Sequence, residues 1–146
     1  SNGFASMGFS IPGAFAAKLL NPDKKVLAVC GDGGFMMNSQ ELETAVREKV
    51  PFVTLIWEDS SYGLIKWKEQ EQFDGEHCYV DFTNPDFKLL AEAMHCKGYR
   101  VEKAEDLIPT LEEAFAQKVP SVIVVPVDYS ENMKLSEHLK KVYHKD

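Results

Sequence analysis

Three short runs constrain this chain most: residues 25–30 (KVLAVC), 52–57 (FVTLIW) and 121–127 (SVIVVPV). Each is apolar on both faces of the strand it would form, not at alternate positions only. Strands of that kind need cover on both sides, which is the signature of a parallel sheet. The stretches between them repeat apolar residues at helical spacing, as in Leu42, Ala45 and Val46, or Phe87, Leu90, Ala91 and Met94, or Leu107, Leu111 and Phe115. Strands alternating with helices predict an α/β fold in three layers, a parallel β-sheet sandwiched by helices. A shorter strand is predicted at residues 99–101.

Local signals refine this outline. Residues 5–20 predict a tightly packed helix, stopped at Asn21-Pro22 because proline cannot continue it. Asn38, with Glu41 three residues on, has the pattern of a capping box for the next helix. Residues 65–72 suit a short helix, and Asn84-Pro85 suits the start of another, with asparagine as cap. Beyond Tyr129 the chain reads as a tail with a weak helix near residues 134–142. There is no internal repeat and no convincing boundary, so residues 1–146 are expected to form one domain. The opening Ser1-Asn2-Gly3, with neither Met nor signal-peptide features, has the look of the interior of a longer protein.

Composition excludes several functions. With 45% hydrophobic and 27% charged residues the chain suits a globular domain, and no apolar run approaches the roughly 20 residues of a membrane span. A net charge of −7 argues against nucleic acid or an anionic membrane as partner. Three cysteines (Cys30, Cys78, Cys96) without CxxC spacing, and four histidines without ligand spacing, suggest neither a disulfide framework nor a zinc site, and point to a cytoplasmic protein.

Ligands of open parallel sheets bind beyond the carboxyl ends of the strands. Two such ends carry acids here: Asp32, within Gly31-Asp32-Gly33-Gly34, and Glu58-Asp59, with Asp59 27 residues after Asp32. Glycines let backbone N–H groups approach a ligand, and the helix expected to start near Asn38 would add its positive end. Backbone donors beside two metal-ready carboxylates suggest a diphosphate bridged to Mg²⁺, which takes carboxylate, phosphate and water oxygens. A P-loop is ruled out because no lysine lies between Lys25 and Lys49. The dinucleotide fingerprint fails at Met36, and a phosphate-receiver domain would not need the glycines.

The GDG motif followed by Asp59 resembles the thiamine-diphosphate signature, in which GDG precedes an Asn or Asp by roughly 25–30 residues. Beyond that motif, SNGFASMGFSIPGA, GDGGFMMNSQELETAVRE and NPDFKLLAEAM are similar to the C-terminal domain of acetolactate synthases of the large-subunit type. The resemblance implies a ThDP-binding fold and a domain that is one part of a multidomain enzyme. It implies Asp32, Asp59 and the Ser61 backbone carbonyl as Mg²⁺ ligands, with Gly33 and Gly34 presenting N–H groups to the diphosphate. Met7 would be the bulky apolar residue over which the cofactor bends. Gly31, Tyr62, Gly63 and Leu64 complete the implied cofactor site, Leu64 on its substrate side. Where many relatives have Asn, this chain has Asp59, which keeps the side-chain oxygen and adds charge.

The implied reaction decarboxylates pyruvate and joins the product to a second pyruvate, giving 2-acetolactate. The implied assembly is a homodimer or tetramer through these domains, and the apolar N-terminal helix suggests self-association. A glutamate of the pyrimidine-binding domain, which has no match here, would act across the dimer interface, so this chain alone is expected to lack catalysis. The resemblance also allows FAD in a middle domain outside the chain. Trp67 and Lys68 compete for the position that tunes preference between pyruvate and 2-oxobutanoate. A pyruvate oxidase, a 2-oxo acid decarboxylase and a non-catalytic module of the same fold are the alternatives. Read singly, Glu58 suits a surface acid, Trp57 the core and Cys30 an inert strand position, while Phe35, Met36 and Met37 suit either core or pocket.

Overall fold

The computed structural model describes residues 4–132 and 134. Its four strands are β1 (Leu27–Gly31), β2 (Val53–Glu58), β3 (Lys97–Arg100) and β4 (Ser121–Pro126). All pair in parallel, in the order β1-β2-β4-β3. The helices are α1 (Ser10–Leu20), α2 (Asp32–Met37), α3 (Glu41–Arg47), α4 (Gly63–Gln72), α5 (Phe87–Ala93) and α6 (Leu107–Phe115), with a 3₁₀ turn at Ala104–Asp106. This is the α/β arrangement expected from the runs of apolar residues.

One side of the sheet carries the larger core. Ala28, Ile56, Val122 and Val124 pack there against Ile11 and Ala14 of α1, Phe35 of α2, Leu42 and Ala45 of α3, and Phe87 and Ala91 of α5. The Phe35 and Phe87 rings meet edge to face with centroids 5.1 Å apart. Each is fully buried, worth roughly 1.5–3 kcal/mol in apolar burial alone. On the other side, Val53, Val101 and Ile123 pack against Ala114 of α6. That second layer is narrower than the sheet. Leu27 and Val29 of β1, on the same side, stay 42% and 48% exposed.

Several local expectations shift. The first helix begins at Ser10, because Gly8 takes a φ of 84° and turns the chain just before it. The helix after β1 begins at Asp32 itself, not near Asn38. The capping box does not form: Gln40 occupies the cap of α3 without a side-chain bond, and the Asn38 amide donates to the Gly8 carbonyl. In α5, Asp86 is the cap, accepting from the Leu89 N–H. Asn84 is thereby freed for another role. The weak helix expected near residues 134–142 lies, Lys134 apart, outside the described residues. Among the described residues no helix is long and apolar enough to cross a membrane.

Candidate diphosphate and cation site

Register brings the two acidic loops together. Gly31, the last residue of β1, sits opposite Trp57 of β2, so both strands release their loops at the same edge. Asp32 follows at once and is 1% exposed. Its Oδ2 accepts from the Asp59 N–H at 3.1 Å, the Ser60 N–H at 2.7 Å and the Asn84 side-chain amide at 2.7 Å. Its Oδ1 accepts from the Gly33 N–H at 2.7 Å. Ser60 makes this possible by adopting a φ of 56°, a left-handed conformation that costs a non-glycine residue roughly 1–3 kcal/mol.

The rest of the second loop is held as firmly. Asp59 accepts from the Ser61 hydroxyl at 2.7 Å and from the Ser61 N–H at 3.3 Å. Ser61 forms an antiparallel bridge with Asp81, flanked by Tyr62 N–H to Val80 O and Phe82 N–H to Ser60 O. In that pattern the bridged residue's own N–H and C=O face away from the partner strand. The Ser61 carbonyl therefore lies on the side of its N–H, which is the side of Asp59. Asp81 in turn pairs with Lys66 of α4 at 2.7 Å and with His77 at 3.0 Å, fastening the returning segment to the helix. The Lys66 ammonium is the main cause of the lowered Asp81 pKa, with His77 assisting.

Both glycines after Asp32 are buried. A Cβ on Gly33 would lie 2.6 Å from Cε1 of Tyr62, a ring that is itself packed on Phe82 at 4.9 Å. A Cβ on Gly31 would meet nothing within 4 Å, since it faces open space. That space is a cavity of about 850 Å³ at the carboxyl ends of β1 and β2. Met7, Gly31, Asp32, Gly33, Gly34, Asp59, Ser61, Tyr62, Gly63 and Leu64, the residues that the resemblance implies, all line it. Trp67 lines it too, whereas Lys68, Met36 and Met37 do not. Met7 lies in the turn before α1, not within the helix.

Three further contributors were not legible beforehand. Trp57, expected in the core, is only half-buried and lines the cavity. Tyr129 returns from the end of β4 to line it as well, guided by the Val127 N–H bond to Glu58 O. Burial, then the negative charges of Asp59 and Asp32, raise the Tyr129 hydroxyl above its ordinary pKa. Asn84 reaches Asp32 from a loop 52 residues away. No spacing rule signals such a contact, because it depends on how α5 docks. Cys30 behaves as expected of an inert thiol, pushed up to about 11 by burial. Glu58 is not a free surface acid: it pairs with Arg100 at 2.8 Å.

The donor set fits a hard cation bound through oxygen. Among the described residues no three His, Cys, Asp or Glu side chains converge as a ready-made metal cluster. Magnesium does not require one, since one or two carboxylates with phosphate and water oxygens suffice. Asp32 Oδ2 is saturated by three donors, while Oδ1 takes one and keeps acceptor capacity. A buried carboxylate oriented in this way, beside a second carboxylate and a carbonyl, suits a cation that bridges to an anionic ligand in the cavity.

Comparison with known proteins points to one cofactor class. Residues 1–125 match the family model of the thiamine pyrophosphate enzyme C-terminal TPP-binding domain. The catabolic acetolactate synthase of Raoultella terrigena is 43% identical over 139 residues, covering 95% of this chain and 25% of that protein. Acetolactate synthase of Bacillus subtilis strain 168 is 40% identical over 144 residues, covering 98% of this chain and 25% of its own length. The chain thus spans about a quarter of the curated relatives it matches. Among solved structures, the thiamine diphosphate-dependent 4-hydroxybenzoylformate decarboxylase of Rhodococcus jostii RHA1 superposes with a TM-score of 0.79 at 31% identity, covering 86% of this chain and 24% of that one.

Proposed function

Because the chain belongs to the thiamine pyrophosphate enzymes, as their C-terminal TPP-binding domain, we propose that it holds the diphosphate of ThDP through Mg²⁺ in an acetolactate synthase. The observation that carries the cation assignment is the Asp32 carboxylate, 1% exposed, with one oxygen saturated and the other left with acceptor capacity. Asp32, Asp59 and the Ser61 carbonyl would hold the metal. Gly31, with open space beside it, would leave room for the diphosphate, and the Gly34 N–H would be presented to it. The Gly33 N–H, expected in the same role, is donated instead to Asp32 Oδ1, and Met7 would support the rings of the cofactor. When bound, ThDP supplies the electron sink that lets a 2-oxo acid lose CO₂.

The chain's own part is binding, orientation and exclusion of water. Met7, Trp57 and Leu64 give the cavity an apolar wall, and Tyr62 and Gly63 close it next to the metal loop. Pyruvate is the proposed substrate and 2-acetolactate the product, with both steps completed by parts of the enzyme outside this chain. The pyrimidine-activating glutamate belongs to a separate domain, so residues 1–146 alone should be inactive. We place the full-length enzyme in the cytoplasm as a homodimer or tetramer. The exposed Leu27, Val29, Phe9 and Leu20 supply apolar surface for that assembly. Any FAD of the full-length enzyme would sit outside this chain.

A second reading, a 2-oxo acid decarboxylase, has support from the structural match to a decarboxylase of this cofactor class. Product analysis separates the two. Incubation of the full-length enzyme with pyruvate, ThDP and Mg²⁺, followed by NMR, should give 2-acetolactate, and Asp32→Ala or Asp59→Ala should abolish it. Acetaldehyde as the main product would replace the synthase by a decarboxylase, and acetyl phosphate would indicate an oxidase. No turnover, together with no Mg²⁺-dependent ThDP binding, would leave only a binding module of the same fold.

A further inference from the structure

Asn84 has no role in the α5 cap, which Asp86 provides, yet its position is fixed from both sides. Three residues downstream, Phe87 is locked edge to face against Phe35 of α2, the helix that starts at Asp32. The docking of α5 on β3 and β4, together with the Phe87 ring on Phe35, therefore sets where residue 84 meets the acidic loops. There the Asn84 amide donates to Asp32 Oδ2 at 2.7 Å and to the Ser60 hydroxyl at 3.3 Å. The amide orientation follows from chemistry, since a carboxylate can only accept. Asn84 Oδ1 is left buried without a partner, so the amide's bonds to Asp32, the shorter of the two, and to Ser60 hold this side chain in place.

A carboxylate can rotate about its Cβ–Cγ bond and present either oxygen. Two backbone N–H groups and the Asn84 amide converge on Oδ2, and a single N–H reaches Oδ1. Removing Asn84 would take away the one side-chain donor in that set and loosen the preference for one rotamer.

We propose that Asn84 is a positioning residue for Asp32, pinning Oδ2 so that Oδ1 is the oxygen offered to the cation. This rests on the reading of Asp32 as a metal ligand. Partners that orient a metal ligand typically change metal affinity by about 10–100-fold when removed.

The test uses the full-length enzyme with saturating ThDP, titrated with Mn²⁺ and followed by electron paramagnetic resonance. Apoenzyme melting is recorded alongside. Asn84→Ala should weaken Mn²⁺ binding by about tenfold or more, with the apoenzyme melting within a few degrees of wild type. Asn84→Gln, which keeps the donor on a longer arm, should recover part of the loss. Unchanged Mn²⁺ affinity in Asn84→Ala, beside a loss in Asp32→Ala, would overturn the role of Asn84 alone. Unchanged affinity in Asp32→Ala would overturn the metal reading beneath it. Equal losses in Asn84→Ala and Asn84→Gln, with both apoenzymes melting early, would make Asn84 a structural residue and end the proposal.

Discussion

The Ser60 N–H meets Oδ2 of Asp32 at 2.7 Å, joining the loops that leave two neighbouring strands. Asp32 is thus a structural acceptor as well as a candidate metal ligand, and the two roles predict separable effects. Asp32→Asn turns one acceptor position into a donor facing N–H groups. Each buried donor left unsatisfied costs about 1–3 kcal/mol. The apoenzyme's domain transition should fall by roughly 5–10 °C, which thermal unfolding without cofactor would measure. An unchanged transition would mean these bonds contribute little.

Gly33 gives a second prediction, through contact with a neighbour more than through the ligand. Gly33→Ala drives a Cβ to within 2.6 Å of the Tyr62 ring and should destabilise by about 1–3 kcal/mol. Tyr62→Ala removes the obstacle, so the double variant should cost clearly less than the two single costs combined. Additive costs in thermal or urea unfolding would show that the ring moves aside freely.

The cysteines predict both reactivity and alkaline behaviour. Cys78 is exposed, whereas burial pushes Cys30 and Cys96 up to about 11 from an ordinary 9.0. A disulfide reagent near pH 8 should label Cys78 quickly, Cys30, half-buried at the cavity wall, slowly, and buried Cys96 only on unfolding. For stability, a raised thiol pKa favours the neutral form in the folded state. That contribution is complete below pH 9.0 and is lost as pH climbs toward about 11. Cys30→Ala should flatten the fall in melting temperature over that window.

The sequence disclosed the site better than its supports. Asp32, Asp59 and the glycines are legible because a strand end fixes where the next residues go, and the 27-residue interval returns the chain to the adjacent strand. The α/β class was legible for a similar reason, in the unbroken apolar runs. Asn38 and Asn84 suit caps by local preference alone, while both side chains are claimed by distant partners, the Gly8 carbonyl and Asp32. Trp57 reads as core by hydrophobicity alone. Its exposure to the cavity follows from its place at the end of β2, where the sheet runs out.

The Asp81 contacts predict an effect on binding more than on folding. Asp81→Asn weakens the links to Lys66 and His77 that hold the returning segment against residues 60–62. Surface pairs contribute little to stability. Global melting should therefore stay close to wild type, while ThDP affinity of the full-length enzyme falls by several-fold, at most about tenfold. Fluorescence of Trp57 and Trp67, which both line the cavity, offers the titration signal.

The most direct measurement is calorimetric titration of the full-length apoenzyme with ThDP, with and without Mg²⁺, in wild type and Asp59→Ala. Wild type should bind one ThDP per site only when Mg²⁺ is present, and Asp59→Ala should weaken that binding by about 10–100-fold. Equally tight binding in Asp59→Ala, or binding indifferent to Mg²⁺, would contradict the assignment of these two strand-end loops as the metal–diphosphate site.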